Sequence, residues 1–242
     1  MSGRIPLGQH FLGSSHLAAR LVADASVDHG DRVVDVGAGT GVLTAAIAGR
    51  AAAVLAVEID PVLADGLARR FAHTGNVTVI RADARDVALP LNPYRVVANP
   101  PFGQTAAILH RLLDDPAGGL VRADLIVQWQ VARQRARVSD GAPADLLGAT
   151  WAPWWRFARG RRLPARCFRP PPSVDAAVLT ILRRDPPALD PAVFDDYATF
   201  LARTWGSARP VASAPDWLRR YRSEARRREA GLHSRPPSAN MD

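Results

Sequence analysis

Asn99-Pro100-Pro101-Phe102 closes the apolar run Tyr94-Arg95-Val96-Val97-Ala98 and sets an amide, a rigid carbonyl and an aromatic ring in succession. The Asn99 side-chain oxygen and the Pro100 carbonyl can each accept one hydrogen of a planar amino group. An exocyclic amino group of adenine is a poor nucleophile because its lone pair is delocalised into the ring. Two acceptors held outside the ring plane favour the pyramidal form and stabilise positive charge developing on nitrogen. Proline has no N–H to compete for the acceptor, and its ring holds that carbonyl still. Phe102 offers a face for the base, with stacking worth ~1–3 kcal/mol. A base reaches such a site only when unpaired or flipped out. The plain alternative is a strand-terminating turn, because paired prolines end strands.

About sixty residues upstream, Asp35-Val36-Gly37-Ala38-Gly39-Thr40-Gly41 follows another apolar run. Glycines let backbone approach a ligand without Cβ interference. The spacing of Gly37, Gly39 and Gly41 is tighter than the GxGxxG of dinucleotide folds. Asp35 can anchor this loop or a cofactor's ammonium. Glu58, with Ile59 beside it, ends the next apolar segment and can accept both hydroxyls of a ribose. Asp83, followed by Ala84, ends a third segment and can receive an amino hydrogen from an adenine. NAD enzymes share a Gly loop and a strand-end acid. The second acid and then Asn99–Phe102 point instead to S-adenosyl-L-methionine and methylation of an exocyclic base nitrogen.

These residues need a scaffold that gathers strand ends. Strands are expected at Arg32–Val36, Ala53–Val57, Val77–Arg81, Tyr94–Ala98 and Leu125–Gln128, with helices near Val42–Arg50, Pro61–Ala72 and Thr105–Leu113 between them. Pro61 suits a first helical turn. Alternating strands and helices with continuous apolar strands predict a parallel sheet covered on both faces. Ligands of such sheets bind outside the strands' carboxyl ends, near the switch in strand order. Residues 141–169, rich in Trp, Arg and Pro, carry no clear pattern, and Val174–Arg183 reads as a further strand. Asp185-Pro186-Pro187 marks a boundary, after which 190–204 and 215–230 read as helices. The expected organisation is a catalytic unit over 1–184, a small helical RNA-binding unit over 185–230 and a disordered tail over 231–242. Trp151, Trp154 and Trp155 are expected in the core rather than as base platforms.

Charge narrows the partner. The formal net charge is +8 over 242 residues, and every basic residue is arginine. Residues 1–100 balance nine Arg against nine acids, so the excess lies in residues 101–242, as expected of a polyanion grip. Codon bias explains arginine in place of lysine but not this asymmetry. Residues 156–184 hold eight Arg against Asp175 alone, and Arg226, Arg227 and Arg228 lie in a second cluster. Arginine pairs with phosphate bidentately and stacks on bases, which suits folded RNA. Cys167 is the only cysteine, so a disulfide within the chain and a cysteine metal cluster are excluded. With no apolar run near the ~18 residues of a membrane span and no signal-peptide core, a cytoplasmic, monomeric protein without membrane or metal is expected.

With these motifs assembled, the chain resembles the Erm ribosomal RNA adenine N6-methyltransferases, sisters of the KsgA dimethyladenosine transferases, over roughly residues 5–184. Gly8-Gln9-His10-Phe11-Leu12 is similar to the family's GQNFL segment, which implies that Gln9, His10 and Leu12 contact the cofactor's methionine end. Asp35–Gly41, Glu58, Asp83 and Asn99–Phe102 match in order. Gln128 and Arg133 lie in a segment resembling the family's Q-x-x-x-A-x-R region, placing Arg133 at the substrate. Phe168-Arg169-Pro170-Pro171-Pro172-Ser173-Val174-Asp175 looks like F-x-P-x-P-x-V-[DN], implying that Phe168 frames the target base. Pro100 departs from the family's Ile or Leu, His10 from its Asn and Gln130 from its common Glu. The resemblance implies a Rossmann-like α/β methyltransferase fold with a small C-terminal helical domain. It also implies methylation of an adenine of 23S rRNA and macrolide-lincosamide-streptogramin B resistance. The alternatives are 16S rRNA or another nucleic acid as substrate, a non-catalytic RNA-binding factor and, more distantly, a nicotinamide oxidoreductase.

Overall fold

The structure, a computed structural model, describes residues 9–139, 145–205 and 213–233, the side chains only as far as 228 in the last segment. After a two-residue strand β1 (Phe11–Leu12), the chain runs α1 (Ser15–Asp24), β2 (Arg32–Val36), α2 (Val42–Ala48), β3 (Ala53–Glu58), α3 (Pro61–Phe71), β4 (Val77–Arg81), β5 (Tyr94–Ala98) and α4 (Thr105–Leu113). It continues through β6 (Leu120–Gln128), α5 (Trp129–Ser139), α6 (Leu146–Trp151), β7 (Trp155–Leu163), the two-residue β8 (Phe168–Arg169), β9 (Ala176–Arg183), α7 (Phe194–Thr204) and α8 (Ala214–His233).

Seven strands form one sheet in the order β4-β3-β2-β5-β6-β9-β7. The five strands β4, β3, β2, β5 and β6 are parallel, and they are rich in valine and alanine, as strands covered on both faces are. Both faces are buried. Val34, Val36, Val57, Val96 and Ala98 pack towards one hydrophobic cluster, and Val33, Val54 and Val97 towards another under α1 and α2. The strand order reverses between β2 and β5, so the carboxyl ends of these two strands define the ligand crevice. Asp35–Gly41 and Asn99–Phe102 lie at those two ends.

The wholly parallel sheet needs correction at one edge. β9 runs antiparallel to both β6 and β7. β6 also begins at Leu120 rather than Leu125, because two charges are satisfied inside it. The Arg122 guanidinium donates to Asp124 at 2.6 Å, and the Thr180 hydroxyl of β9 donates to the same carboxylate at 2.7 Å. β7 is hidden in the sequence by Arg156, Arg159, Arg161 and Arg162, yet Trp155, Phe157 and Leu163 are buried. Trp151, Trp154 and Trp155 are each at most 1 % exposed, as core residues should be.

The C-terminal helices share the core of the sheet. Tyr197, Phe200 and Leu201 of α7 and Trp217 and Tyr221 of α8 belong to the same cluster as Trp154 and Leu179. α8 continues to His233, three residues into the segment expected as a tail; residues 234–242 lie outside the described residues. No helix among the described residues is long and apolar enough to cross a membrane.

Candidate active site

The cleft opens where β2 and β5 end. Its walls come from Gln9 and His10 before β1, Gly37 and Gly39 of the loop, Glu58 and Ile59 after β3, Asp83 and Ala84 after β4, and Asn99 and Pro101 after β5. The sequence motifs, dispersed over some ninety residues, therefore converge on one cavity.

Each polar group in this cleft has a definite local cause. Glu58 is 3 % exposed, and its two carboxylate oxygens accept from the N–H of Gly39 at 2.8 Å and of Asp60 at 2.9 Å. The glycine loop is thus fixed by the acid that faces the same cavity. Gly39 has φ of +57°, and a Cβ there would lie 2.8 Å from the Phe11 ring, so glycine is what lets the N-terminal strand close over the loop. Asp83 is gripped by Arg85, whose Nε lies 3.0 Å from both oxygens and whose Nη2 donates at 2.5 Å. The hydrogen bonds from Arg85 hold the Asp83 carboxyl below the usual carboxylate range.

Asn99 carries the decisive geometry. Its Nδ2 donates to the His10 carbonyl at 2.7 Å, which fixes the amide's orientation. Its Oδ1 is buried and has no hydrogen-bond partner among the described residues. A buried acceptor left open costs on the order of 1–3 kcal/mol. The Phe102 ring lies 5.5 Å from His10 and 6.2 Å, edge-on, from Phe168.

Leu12, Asp35, Gly41, Pro100, Phe102 and Phe168, expected at the cofactor or the base, do not line this cleft. Phe168, expected beside the target base, is fully buried, with its ring edge-on to that of Phe102. Leu12 is 6 % exposed and packs into the core under α1. Gly41 does not line the cleft; a Cβ there would meet Leu67 at 2.6 Å and Phe71 at 2.9 Å, so it lets α3 approach the loop. Asp35 lies beneath the loop, 1 % exposed, and accepts from the Thr44 hydroxyl at 2.7 Å. Burial pushes its carboxyl up to about 7, against the Thr44 hydrogen bond and with a further push from Glu58. Arg133 is exposed on α5. Arg226 and Arg227 are exposed on α8, whereas Arg228 is paired with Asp196 and Glu224.

Phe11, Asp60, Gln104 and Ile108 also line the cleft and were not singled out from the sequence. Asp60 was legible only as a helix cap, a role it also performs, accepting from Val62 and Leu63 N–H. Gln104 follows Asn99–Phe102 by two residues in a short 3-10 turn. Proximity to that motif was the signal available for it.

This arrangement matches one known family. The family model described as ribosomal RNA adenine dimethylase matches residues 1–205. The chain belongs to this family. It is 35% identical over 233 residues to the mycinamicin-resistance protein MyrB of Micromonospora griseorubida, covering 92% of this chain and 73% of that protein. It is 37% identical over 187 residues to an rRNA adenine N-6-methyltransferase of Corynebacterium diphtheriae, covering 77% of this chain and 71% of that one. The crystal structure of the 23S rRNA methyltransferase ErmE superposes with a TM-score of 0.72 at 28% identity, covering 87% of this chain and 84% of the other. The chain is thus an S-adenosylmethionine-dependent rRNA adenine methyltransferase in fold and family, and the cleft at β2 and β5 is where this class of ligand fits. The glycine loop under Phe11 and the acids at the ends of β3 and β4 fit such a cofactor, and the unpartnered Asn99 Oδ1 stands beside them.

Proposed function

We propose that this protein transfers a methyl group to N6 of an adenine in 23S rRNA and thereby protects ribosomes against macrolide, lincosamide and streptogramin B antibiotics. The observation that carries the reading is the buried, unpartnered Oδ1 of Asn99 beside a cleft lined by Glu58 and Asp83. Similarity to a mycinamicin-resistance protein and to ErmE supports the 23S rRNA and the resistance outcome.

When bound, S-adenosylmethionine supplies an electrophilic methyl on a sulfonium centre. Glu58 accepts the ribose hydroxyls on lone pairs that its two backbone contacts leave free. Asp83, kept ionised by Arg85, accepts the adenine amino group of the cofactor, with Ile59 and Ala84 as apolar walls. Gln9, His10, Gly37 and Gly39 enclose the methionine end. For the substrate, Asn99 Oδ1 and the Pro100 carbonyl accept the two amino hydrogens and orient the nitrogen lone pair. Phe102 stacks on the base, held by Phe168 behind it. No general base is needed, because the methylated nitrogen is acidic enough to release its proton to water.

The test is transfer of labelled methyl from S-adenosylmethionine to deproteinised 23S rRNA, 16S rRNA and intact subunits, with mass-spectrometric mapping of the product. Label at N6 of one 23S adenine is expected. Label confined to 16S rRNA, or label on neither RNA, overturns the assignment.

A further inference from the structure

β7 carries a bulge at a functionally placed point. Arg159 stands opposite Leu179 and Arg162 opposite Ala177, so three steps on β7 span two on β9. In an unbroken strand, residues 159 and 162 project to opposite faces; one extra residue turns both to the same face. Gly160 sits within the bulge, where a Cβ would come within 3.2 Å of Val178 Cβ. The face they share is the one bearing Trp155 and Phe157, on which α5 packs.

Trp129, the first residue of α5, meets both arginines there. The guanidinium carbons of Arg159 and Arg162 lie 4.5 and 4.8 Å from its ring centroid. Arg162 is further tied to Asp175, with Nε at 3.0 Å and Nη2 at 2.8 Å. Arg159 is exposed and meets no hydrogen-bond acceptor among the described residues. Arg133 lies four residues after Trp129, on the same side of the helix, and is exposed as well. The group sits on the carboxyl-end rim of the sheet. Gln128 and Leu163 both pair with Ala176, and the Trp129 N–H donates to the Asp175 carbonyl at 2.9 Å. From Leu163 the chain returns within five residues to Phe168, whose ring lies 6.2 Å, edge-on, from that of Phe102 in the turn after Asn99.

We propose that Arg159, Arg162 and Arg133 form a phosphate clamp for the RNA strand that leads the target adenine into the cleft, with Trp129 as its positioning residue. The proposal rests on the RNA substrate assigned above. A guanidinium resting on an aromatic face keeps its charge and its donors while losing much of its freedom in advance, so less entropy is lost when phosphate binds. Asp175 anchors Arg162 and neutralises it in part. The unpaired Arg159 therefore presents the fullest charge.

The experiment measures binding of a labelled, unmodified 23S rRNA transcript over a salt titration, separately from methyl transfer. Arg159→Ala is expected to weaken binding about five- to tenfold at low salt and to reduce the salt slope by about one. Cofactor affinity and melting temperature should not move. Trp129→Leu is expected to weaken binding about threefold with the slope nearly retained, because the charges stay but are no longer held, and Trp129→Phe is expected to restore most of that loss. Unchanged binding and slope for Arg159→Ala overturns the clamp, and Trp129→Phe no better than Trp129→Leu overturns the positioning role. A parent protein that binds RNA with this dependence but methylates none refutes the assigned reaction and leaves the clamp standing; a parent that binds no RNA refutes the clamp.

Discussion

The Nδ2 of Asn99 donates to the backbone carbonyl of His10, 89 residues earlier, at 2.7 Å. This contact helps to hold the N-terminal segment against the end of β5 and fixes the Asn99 amide, whose Oδ1 is buried with no partner among the described residues. Removing the amide therefore has two effects of different size. Asn99→Ala should lower kcat about 10²–10³-fold through loss of the acceptor, and should weaken cofactor binding only a few-fold through the loosened N-terminal segment. Single-turnover rates and equilibrium cofactor binding separate the two; a large loss of cofactor affinity with an unchanged chemical step would refute the acceptor role.

Gly39 and Gly41 serve different partners, so alanine should damage them differently. Gly39→Ala forces a Cβ to 2.8 Å from the Phe11 ring at a φ of +57°. It should cost about 1–3 kcal/mol from the backbone conformation and weaken cofactor binding together with stability. Gly41→Ala drives into Leu67 and Phe71 and should act mainly on stability, visible as a lower melting temperature in the absence of cofactor. Equal effects of both on cofactor affinity would contradict the division.

Asp35 predicts a pH signature. Its carboxyl is held up at about 7 in the folded protein by burial, against an ordinary value of 3.8. Between those values the native state binds more protons than the unfolded state, so this group's contribution falls as pH rises and becomes constant above about 7. Relative to Asp35→Asn, the parent protein should lose stability steadily from about pH 4 to pH 7 and not further. Denaturant titrations of both proteins across this range check it, and parallel pH profiles would show that Asp35 is ionised throughout.

The three arginines on α8 should not contribute alike to RNA binding. Arg228 is paired with both Asp196 and Glu224, whereas Arg226 and Arg227 have no acidic partner among the described residues. Arg226→Ala and Arg227→Ala should each lower the salt slope of RNA binding, by about 0.7–0.9 for every phosphate no longer neutralised, and Arg228→Ala should lower it less. Anisotropy titrations at several salt concentrations read this directly. An equal or larger effect for Arg228→Ala would mean that RNA displaces its carboxylate partners.

Phe168→Ala removes a fully buried ring and should destabilise the fold by about 3–5 kcal/mol, while Phe102→Leu should leave stability nearly unchanged. Phe102→Leu is expected to raise KM for RNA about tenfold through weaker stacking without altering cofactor affinity. A stable Phe168→Ala protein with raised KM would instead place Phe168 against the base.

The chain by itself determined the parallel half of the fold and the strand-end positions of the residues at its centre. β2, β4, β5, α4 and the Gly loop were legible because apolar continuity, proline and glycine report local backbone preference directly. Asn99, Glu58 and Asp83 were legible because a strand-end position can be read from the strand before it. Tertiary structure decided what depends on partners distant in sequence. β7 and the first half of β6 hide behind charges: Arg122 pairs with Asp124 inside β6, where the Thr180 hydroxyl of β9 meets the same carboxylate, and Arg159 of β7 rests on Trp129 of α5. It also separated residues that a motif groups together. Gly39 lines the cleft while Gly41 faces α3, and Phe102 is half-buried while Phe168, edge-on to it, is fully buried. Neighbours in a motif share a spacing, but which side of the backbone each one shows is set by the packing of elements that the motif does not contain.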